Sequence, residues 1–392
     1  MKNITFILLF ICFKTFSQSV SQTMLRLPDT GETTGYTNTF GEDADYTINA
    51  PYFTINGDGT VTDTITGLIW QQTDGGEMTI ENAVIYCDTL TLGGYTNWRL
   101  PNAHEGFSIL NHQQANPALN SAVFTTTAAD YWWTGDFQVN DASKVWATNA
   151  GGGVGNHPKT ETISAGGNKH FHVRAVRDVI TPPILPAQFT DNGNGTITDN
   201  LTNLIWQKAP FADSITWEQA LGYADTLTLA GATDWRLPNI KEMQSVNDES
   251  IITPSVSISY FPSIGVKKYW SSTTLPNQTA KAWYLDTHFG ITTYANKTAK
   301  NSVLCVKNNT GTPTGLTENK VGKTIVYPNP FTSQINVNTS GKNIAVKLYN
   351  TYGQLIYAGS SIQQYDFSFL PNGLYYLKVE GTNPETIKLV KE

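Results

Sequence analysis

Hydrophobic and polar positions alternate along this chain in short runs broken by glycine and asparagine, and the breaks recur. Phe53-Thr-Ile55 and Thr60-Val-Thr62 flank Asn56-Gly-Asp-Gly59, β-forming residues around positions suited to positive φ, which predicts a hairpin. Leu68-Ile-Trp-Gln71 reads as the next strand. Ile80, Ala83, Val84, Cys87 and Leu90 then recur at helical spacing. The whole order returns 136 to 137 residues later, as Phe189-Thr-Asp around Asn192-Gly-Asn-Gly195, Leu204-Ile-Trp-Gln207, and Trp217, Ala220, Leu221, Ala224 and Leu227. Thr216-Trp-Glu-Gln219 has the form of a capping box. Asn102 and Asn239, each with Glu three residues on, predict a second helix per copy, and Gly94 and Gly231 are expected just past the end of the first. Tyr131-Trp-Trp-Thr134 is set against Tyr269-Trp-Ser-Ser272, and Val145-Trp-Ala147 against Ala282-Trp-Tyr284. Each copy closes on an alternating strand, His172-Val-Arg-Ala-Val-Arg177 or Val303-Leu-Cys-Val-Lys307.

This period is too long for a solenoid unit and fits a duplicated globular domain. The expected fold is α+β, with one domain over residues 24–178 and another over 188–309, joined by the proline-stiffened Thr181-Pro-Pro-Ile-Leu-Pro186. A polar stretch, Asn308 to Gly322, leads to a third region over 324–392. There Ile344-Ala-Val-Lys-Leu348, Tyr375-Tyr-Leu-Lys-Val379 and Ile387-Lys-Leu389 alternate around an Asn372-Gly373 turn, as in a small all-β sandwich. Lys2 followed by the apolar run Ile4 to Phe13 reads as a secretory signal peptide over residues 1–19, too short for a membrane span. No later run approaches transmembrane length, so no transmembrane segment is expected in the mature protein.

Only 15% of residues are charged. Loss of the signal peptide would remove Lys2 and Lys14 and take the formal charge from -7 to -9. An acidic chain argues against general nucleic-acid binding. The charge is uneven: 15 acids and 6 bases lie in 40–178, against 10 and 9 in 189–309. Lys267, Lys268, Lys281, Lys297, Lys300 and Lys307 face only Asp286 between 260 and 307. They are either a solvated face or a patch for an anionic polymer. Cys12 would leave with the signal peptide. Cys87 corresponds to Ala224 and Cys305 to Ala175, so each copy keeps one half of a pair. Either both thiols are unpaired and buried, or they form a Cys87–Cys305 disulfide between copies, which requires Cα atoms within about 7 Å.

Chemistry-bearing patterns are sparse. Counted from Asn56, a calcium loop would need glycine at its sixth position and glutamate at its twelfth, where Val61 and Gly67 stand. His157, His170 and His172 cluster in copy one; the last two would share a strand face, but zinc needs a third ligand fixed near both, and His157 lies in a Gly-rich loop. No nucleophile–base arrangement stands out, so no catalytic residue, cofactor or metal is expected and the chain is read as a non-enzyme. Trp70/Trp206, Trp98/Trp235, Trp132/Trp270 and Trp146/Trp283 match between copies and suit cores. Trp133, set against Ser271, lacks an aromatic counterpart. It becomes a candidate sugar-stacking residue, with Trp146 beside Gly151-Gly-Gly-Val-Gly155.

Arg26-Leu-Pro-Asp-Thr-Gly-Glu-Thr33, Gly41-Glu-Asp-Ala-Asp-Tyr46, the Asn-Gly-Asp-Gly hairpin, Trp98-Arg-Leu-Pro-Asn102 and the closing Val173-Arg-Ala-Val-Arg177 together resemble the DUF1566 family, also named for the C-terminal domain of a Legionella collagen-like adhesin. The resemblance spans 24–178 and again 188–309. It implies C-type-lectin-like domains and binding of polysaccharide or surface glycan, sulphated in that adhesin, so an anionic glycan is a candidate ligand. The Glu-Pro-Asn, Gln-Pro-Asp and Trp-Asn-Asp motifs of calcium-dependent sugar-binding lectins are missing from the sequence. Val326-Tyr-Pro-Asn-Pro-Phe331, Val346-Lys-Leu-Tyr-Asn350 and Leu370-Pro-Asn-Gly-Leu374 are similar to a type A sorting domain of type IX secretion, with an Ig-like fold. That implies a Bacteroidota-type bacterium, the type IX secretion machinery as a partner, and an extracellular or outer-membrane surface location. The expected function is a secreted or cell-surface adhesion protein that recognises glycans. A structural surface protein engaging protein partners is the alternative, and a polysaccharide-active hydrolase a remote one.

Overall fold

The computed structural model divides into two compact units, residues 1–310 and 311–392. It describes residues 23–125, 130–162, 170–178, 187–309, 325–327, 330–338, 345–350, 354–379 and 385–392. The signal peptide and the proline linker fall outside these residues.

Both copies lie in the first unit. In copy one, strands β1 (Phe53–Ile55), β2 (Thr60–Asp63) and β3 (Leu68–Gln71) form an antiparallel sheet. Gly57 and Gly59, at φ 80° and 86°, make the hairpin turn, and Asp58 Oδ1 accepts from Thr60 Oγ1 at 2.6 Å. Helices α1 (Ile80–Thr89) and α2 (Ala103–Ser108) follow. Strands β4 (Tyr131–Gln138), β5 (Asp141–Asn149) and β6 (Val154–Pro158) make a second sheet. The closing strand β7 (Val176–Asp178) returns to pair with β3.

Copy two repeats this with β8 (Phe189–Asp191), β9 (Thr196–Asp199), β10 (Leu204–Gln207), α3 (Trp217–Thr226), α4 (Ile240–Ser245), β11 (Lys268–Thr274), β12 (Lys281–Asp286), β13 (Ile291–Asn296) and β14 (Val306–Asn308). Capping boxes start α2, α3 and α4 at Asn102, Thr216 and Asn239, as the sequence predicts.

Two expectations for the duplicated region need correction. Helix α1 ends at Thr89 with Leu90 extended, so Gly94 is not its C-terminal cap. Gly93 and Gly94, at φ 61° and 78°, form a two-residue turn between Leu92 and Tyr95, and Ala230 and Gly231 do the same in copy two. The aromatic strands also correspond one residue away from the match of Trp132 with Trp270. Trp133 donates its backbone N–H to His172 O at 2.9 Å and its indole N–H to Met78 O at 2.9 Å. Trp270 makes the same pair of bonds, to Ser302 O and Ile215 O. Trp133 therefore corresponds to Trp270, and Trp132 to Tyr269. A one-residue slip turns each side chain to the other face of a strand.

Three apolar clusters fill the first unit. Each copy has a private core: Ile80, Cys87, Trp98, Trp133 and Phe171 in one, and Trp217, Ala224, Trp235, Trp270 and Cys305 in the other. A third cluster is shared, combining Trp70, Phe107, Trp132 and Trp146 with Trp206, Tyr269, Trp283 and Leu304. The two cysteines thus sit in different cores, both thiols free, and the Cys87–Cys305 disulfide is not formed. Burial pushes the Cys87 thiol up to about 12 and raises that of Cys305 further.

Along the seam α2 meets α4 and β6 meets β13. Val154 donates its N–H to Thr292 Oγ1 at 2.9 Å, and a Cβ on Gly153 would lie 3.1 Å from Thr292 O, so glycine permits the close approach. Matched positions make unlike contacts there. His104 bonds Glu249 of copy two at 2.8 Å, whereas its counterpart Lys241 reaches into copy one and donates to Asp29 O and Ser108 O at 2.8 and 2.7 Å. Residues 23–52 form a strap over the seam. It touches copy one where His112 N–H donates to Thr30 O at 2.9 Å, and copy two where Thr274 N–H donates to Glu32 at 3.1 Å.

The second unit holds a two-stranded sheet of β15 (Ile325–Tyr327) and β16 (Asn336–Asn338). Its other sheet has β17 (Val346–Asn350), β18 (Leu355–Gly359), β19 (Gly373–Val379) and β20 (Glu385–Lys391) in the order β18-β17-β19-β20. Phe331, Ile335, Leu348, Phe367, Leu377 and Leu389 form its core. Asn372-Gly373 leads into β19, which pairs with β17 and β20, so it closes no hairpin. The protein is β-rich throughout, with few helices. No helix among the described residues is long and apolar enough to cross a membrane.

Candidate binding cleft

Where the strap crosses the seam it leaves a cleft of about 230 Å³. The strap supplies Asp29, Gly31, Glu32, Thr33, Thr47, Ala50 and Pro51. The start of β1 adds Phe53, the residues after α2 add Asn111 and Asn120, and Lys241 of copy two closes the floor. The capping box at Asn239 positions this lysine by fixing the start of α4.

Charge is concentrated beside the cleft. Asp43 Oδ2 accepts from Thr30 Oγ1 at 2.8 Å and from Thr273 Oγ1 at 2.6 Å, joining strap to copy two. Burial, with the neighbouring Asp29, pushes Asp43 up to about 7. Glu32 rises to about 11 through burial and the Asp43 charge, so it stays protonated in neutral solution. Burial draws Lys241 down to about 8 against the pull of Asp29, Asp63 and Asp43. The mouth carries the polar side chains of Thr33 and Thr47, both exposed, with the half-buried Phe53 ring on one wall. This is a small polar cleft with one aromatic face. It offers hydrogen bonds and a stacking surface.

Two stretches of the sequence match one family profile, the Lcl C-terminal domain, at residues 59–177 and 195–307, more than half of the chain. This chain belongs to the Lcl C-terminal domain family. Residues 325–392 match the secretion system C-terminal sorting domain, which marks the protein for type IX export to the cell exterior and names that machinery as a partner. No curated protein matches the sequence. Among solved structures, one similar chain is described as PorZ, an essential bacterial surface component of the type-IX secretion system of human oral-microbiomic Porphyromonas gingivalis. Identity is 13%, with 67% of this chain and 30% of that chain covered and a TM-score of 0.17.

The Lcl domains do not present the residues singled out from the sequence as a surface. Trp133 and Trp146 are 0% and 1% exposed, the first in the private core of the first Lcl domain and the second in the shared core, so neither can stack on an external sugar. The lysines do not gather either. Lys268 lies over the Tyr284 ring at 5.2 Å, and Lys281 over Tyr294 at 5.0 Å on the opposite face of the same sheet. Lys297 packs on Trp217 at 3.8 Å, where burial lowers its pKa and the strap residues Glu42 and Glu32, with Glu218, oppose that. Lys267 and Lys300 are exposed in the loops before β11 and after β13.

The histidines also separate. His157 pairs with Glu161 and His172 with Asp74, each at 3.1 Å, and no group of three metal-ligating side chains occurs among the described residues. The cleft itself escaped the sequence reading. Its one signal was that the strap motif occurs once while the rest of the Lcl domain occurs twice.

Proposed function

We propose that the mature protein is a secreted adhesion or binding protein of the cell surface, and that it recognises a glycan at the cleft between strap and seam. The observation that carries the reading is the lining: the Phe53 ring beside the amides Asn111 and Asn120 and the hydroxyls Thr33 and Thr47. Sugars are held by this combination, with ring faces stacked on an aromatic and hydroxyls bonded to amides and hydroxyls. Each Lcl copy carries two helices between a four-stranded sheet closed by its own last strand and a three-stranded sheet, an arrangement that suits a C-type-lectin-like domain. The two packed sheets of the second unit suit an Ig-like sorting domain.

The cleft is smaller than the roughly 300 Å³ at which ligand pockets usually begin. It fits one terminal sugar residue rather than the interior of a long polymer. Recognition proceeds through stacking and hydrogen bonds, without bond making. A glycan array probed with the mature chain tests this. Binding is expected, and Thr47→Trp, which fills the exposed mouth, should abolish it while the far-ultraviolet spectrum stays unchanged. An array with no ligand, or a ligand indifferent to Thr47→Trp and Asn120→Ala, refutes the cleft as the glycan site.

A further inference from the structure

The strap covers a defined footprint on copy two. Thr37 Oγ1 donates to Glu218 at 3.2 Å, and Gly41 lies so close that a Cβ there would be 3.7 Å from Leu221 Cβ. Glu32 and Asp43 engage Thr274 and Thr273, Tyr46 lies 5.3 Å from Arg236, and Glu42 faces Lys297. Under the strap Leu221, Thr273 and Thr274 are 0% exposed and Arg236 4%.

The register of the two copies identifies the same footprint on copy one. Helices α1 and α3 match Glu81 to Glu218 and Val84 to Leu221. Strands β4 and β11 match Asp136 to Thr273 and Phe137 to Thr274. Arg99 matches Arg236, because each donates to the Glu of its own capping box. Lys159 matches Lys297, because their N–H groups bond Ser143 O and Ala280 O after equivalent strands. No strap crosses these residues among the described parts of the chain. Val84 is 42% exposed and Phe137 39%, with Lys159 over the Phe137 ring at 4.5 Å.

We infer that this uncovered face of copy one is a docking surface for a short, turn-forming segment of another protein. The occupied copy shows what fits: a segment that turns on a positive-φ glycine against the helix at position 84, makes one 3-10 turn and then presents an aromatic. Charge then refines the choice. The strap sets the Asp43 carboxylate against the Thr273 hydroxyl, a donor. Copy one has Asp136 there, an acceptor that already caps α2 by taking the Ala103 N–H at 2.7 Å. A carboxylate would be repelled, so the fitting segment carries a hydroxyl or a cation at that point. The inference is independent of the glycan reading, since the footprint shares no residue with the cleft.

The probe is a synthetic peptide of the strap sequence 36–46 with Asp43→Ser, titrated into the mature full chain and followed by fluorescence anisotropy. Saturable binding is expected, at least tenfold tighter than for the unaltered 36–46 peptide. It should weaken at least tenfold with Val84→Glu plus Phe137→Glu, both exposed positions, in a chain whose circular dichroism is unchanged. If that pair disturbs the fold, Glu81→Arg on the exposed helix face is the substitute and should weaken binding by at least threefold. Absence of binding overturns the inference. So does equal affinity for both peptides, or binding untouched by these substitutions, which would place the peptide on copy two in exchange for the strap.

Discussion

Glu32 and Asp43 hold carboxyl groups out of water at or beside the cleft that the buried Lys241 also lines. The consequence for pH follows from their direction. In the unfolded chain Glu32 titrates near its ordinary 4.5, and in the folded protein near 11. Between these values the folded form holds a proton that the unfolded form has lost. Stability from this group is therefore full at or below pH 4.5 and drains away as the pH climbs, by up to about 1.4 kcal/mol per pH unit for one proton. Asp43, raised to about 7, adds to the slope below neutrality. From pH 5 to pH 7, below the range where Lys241 begins to offset it, denaturant midpoints should fall, and Glu32→Gln should flatten the fall. A midpoint that rises over this range, or an unchanged slope in the variant, contradicts the assignment. None of this was legible in the sequence. Glu32 looked like an ordinary polar residue in a turn-rich segment, and only the packing of that segment against Thr274 desolvates it.

At the scale of elements, local chemistry was readable and registration across the duplication was not. Hairpin glycines, capping boxes and apolar helix faces are short-range signals, and the two Asn-Gly-x-Gly hairpins, the helix starts and most strands lie where those signals put them, whereas Asn372-Gly373 closes no hairpin. The aromatic strands failed because Tyr-Trp appears in both copies, at Tyr131-Trp132 and Tyr269-Trp270, and matching by identity slips the frame by one. Hydrogen bonding to His172 and Ser302 sets the frame instead. The physical test is that Trp133 and Trp270 are equivalent core residues. Trp133→Ala and Trp270→Ala should each cost about 3–5 kcal/mol. Glycan binding, once normalised to folded protein, should stay the same in both. A mild effect of Trp133→Ala with selective loss of binding would restore it as a surface contact.

For the whole molecule, the sequence showed two copies and a tail but not that the copies share a core. Periodicity reports which face of an element is apolar, not which neighbour covers it. The family profile and the sequence agree on the duplication; the seam comes from the structure, where Trp132, Trp146, Tyr269 and Trp283 meet in one cluster. Residues 23–310 should therefore unfold in one cooperative calorimetric transition, with the sorting unit separate. Two transitions of similar enthalpy within that segment would mean that the copies are independently stable.

The unlike contacts of His104 and Lys241 carry a consequence for protein engineering. A tandem array invites copying, yet a chain built from two first copies would place a histidine where the ammonium now bonds Asp29 and Ser108. One made from two second copies would leave Glu249 without its imidazole. Each half has become the other's fixed complement, so the pair behaves as a heterodimer written on a single polypeptide, and its modules are not interchangeable.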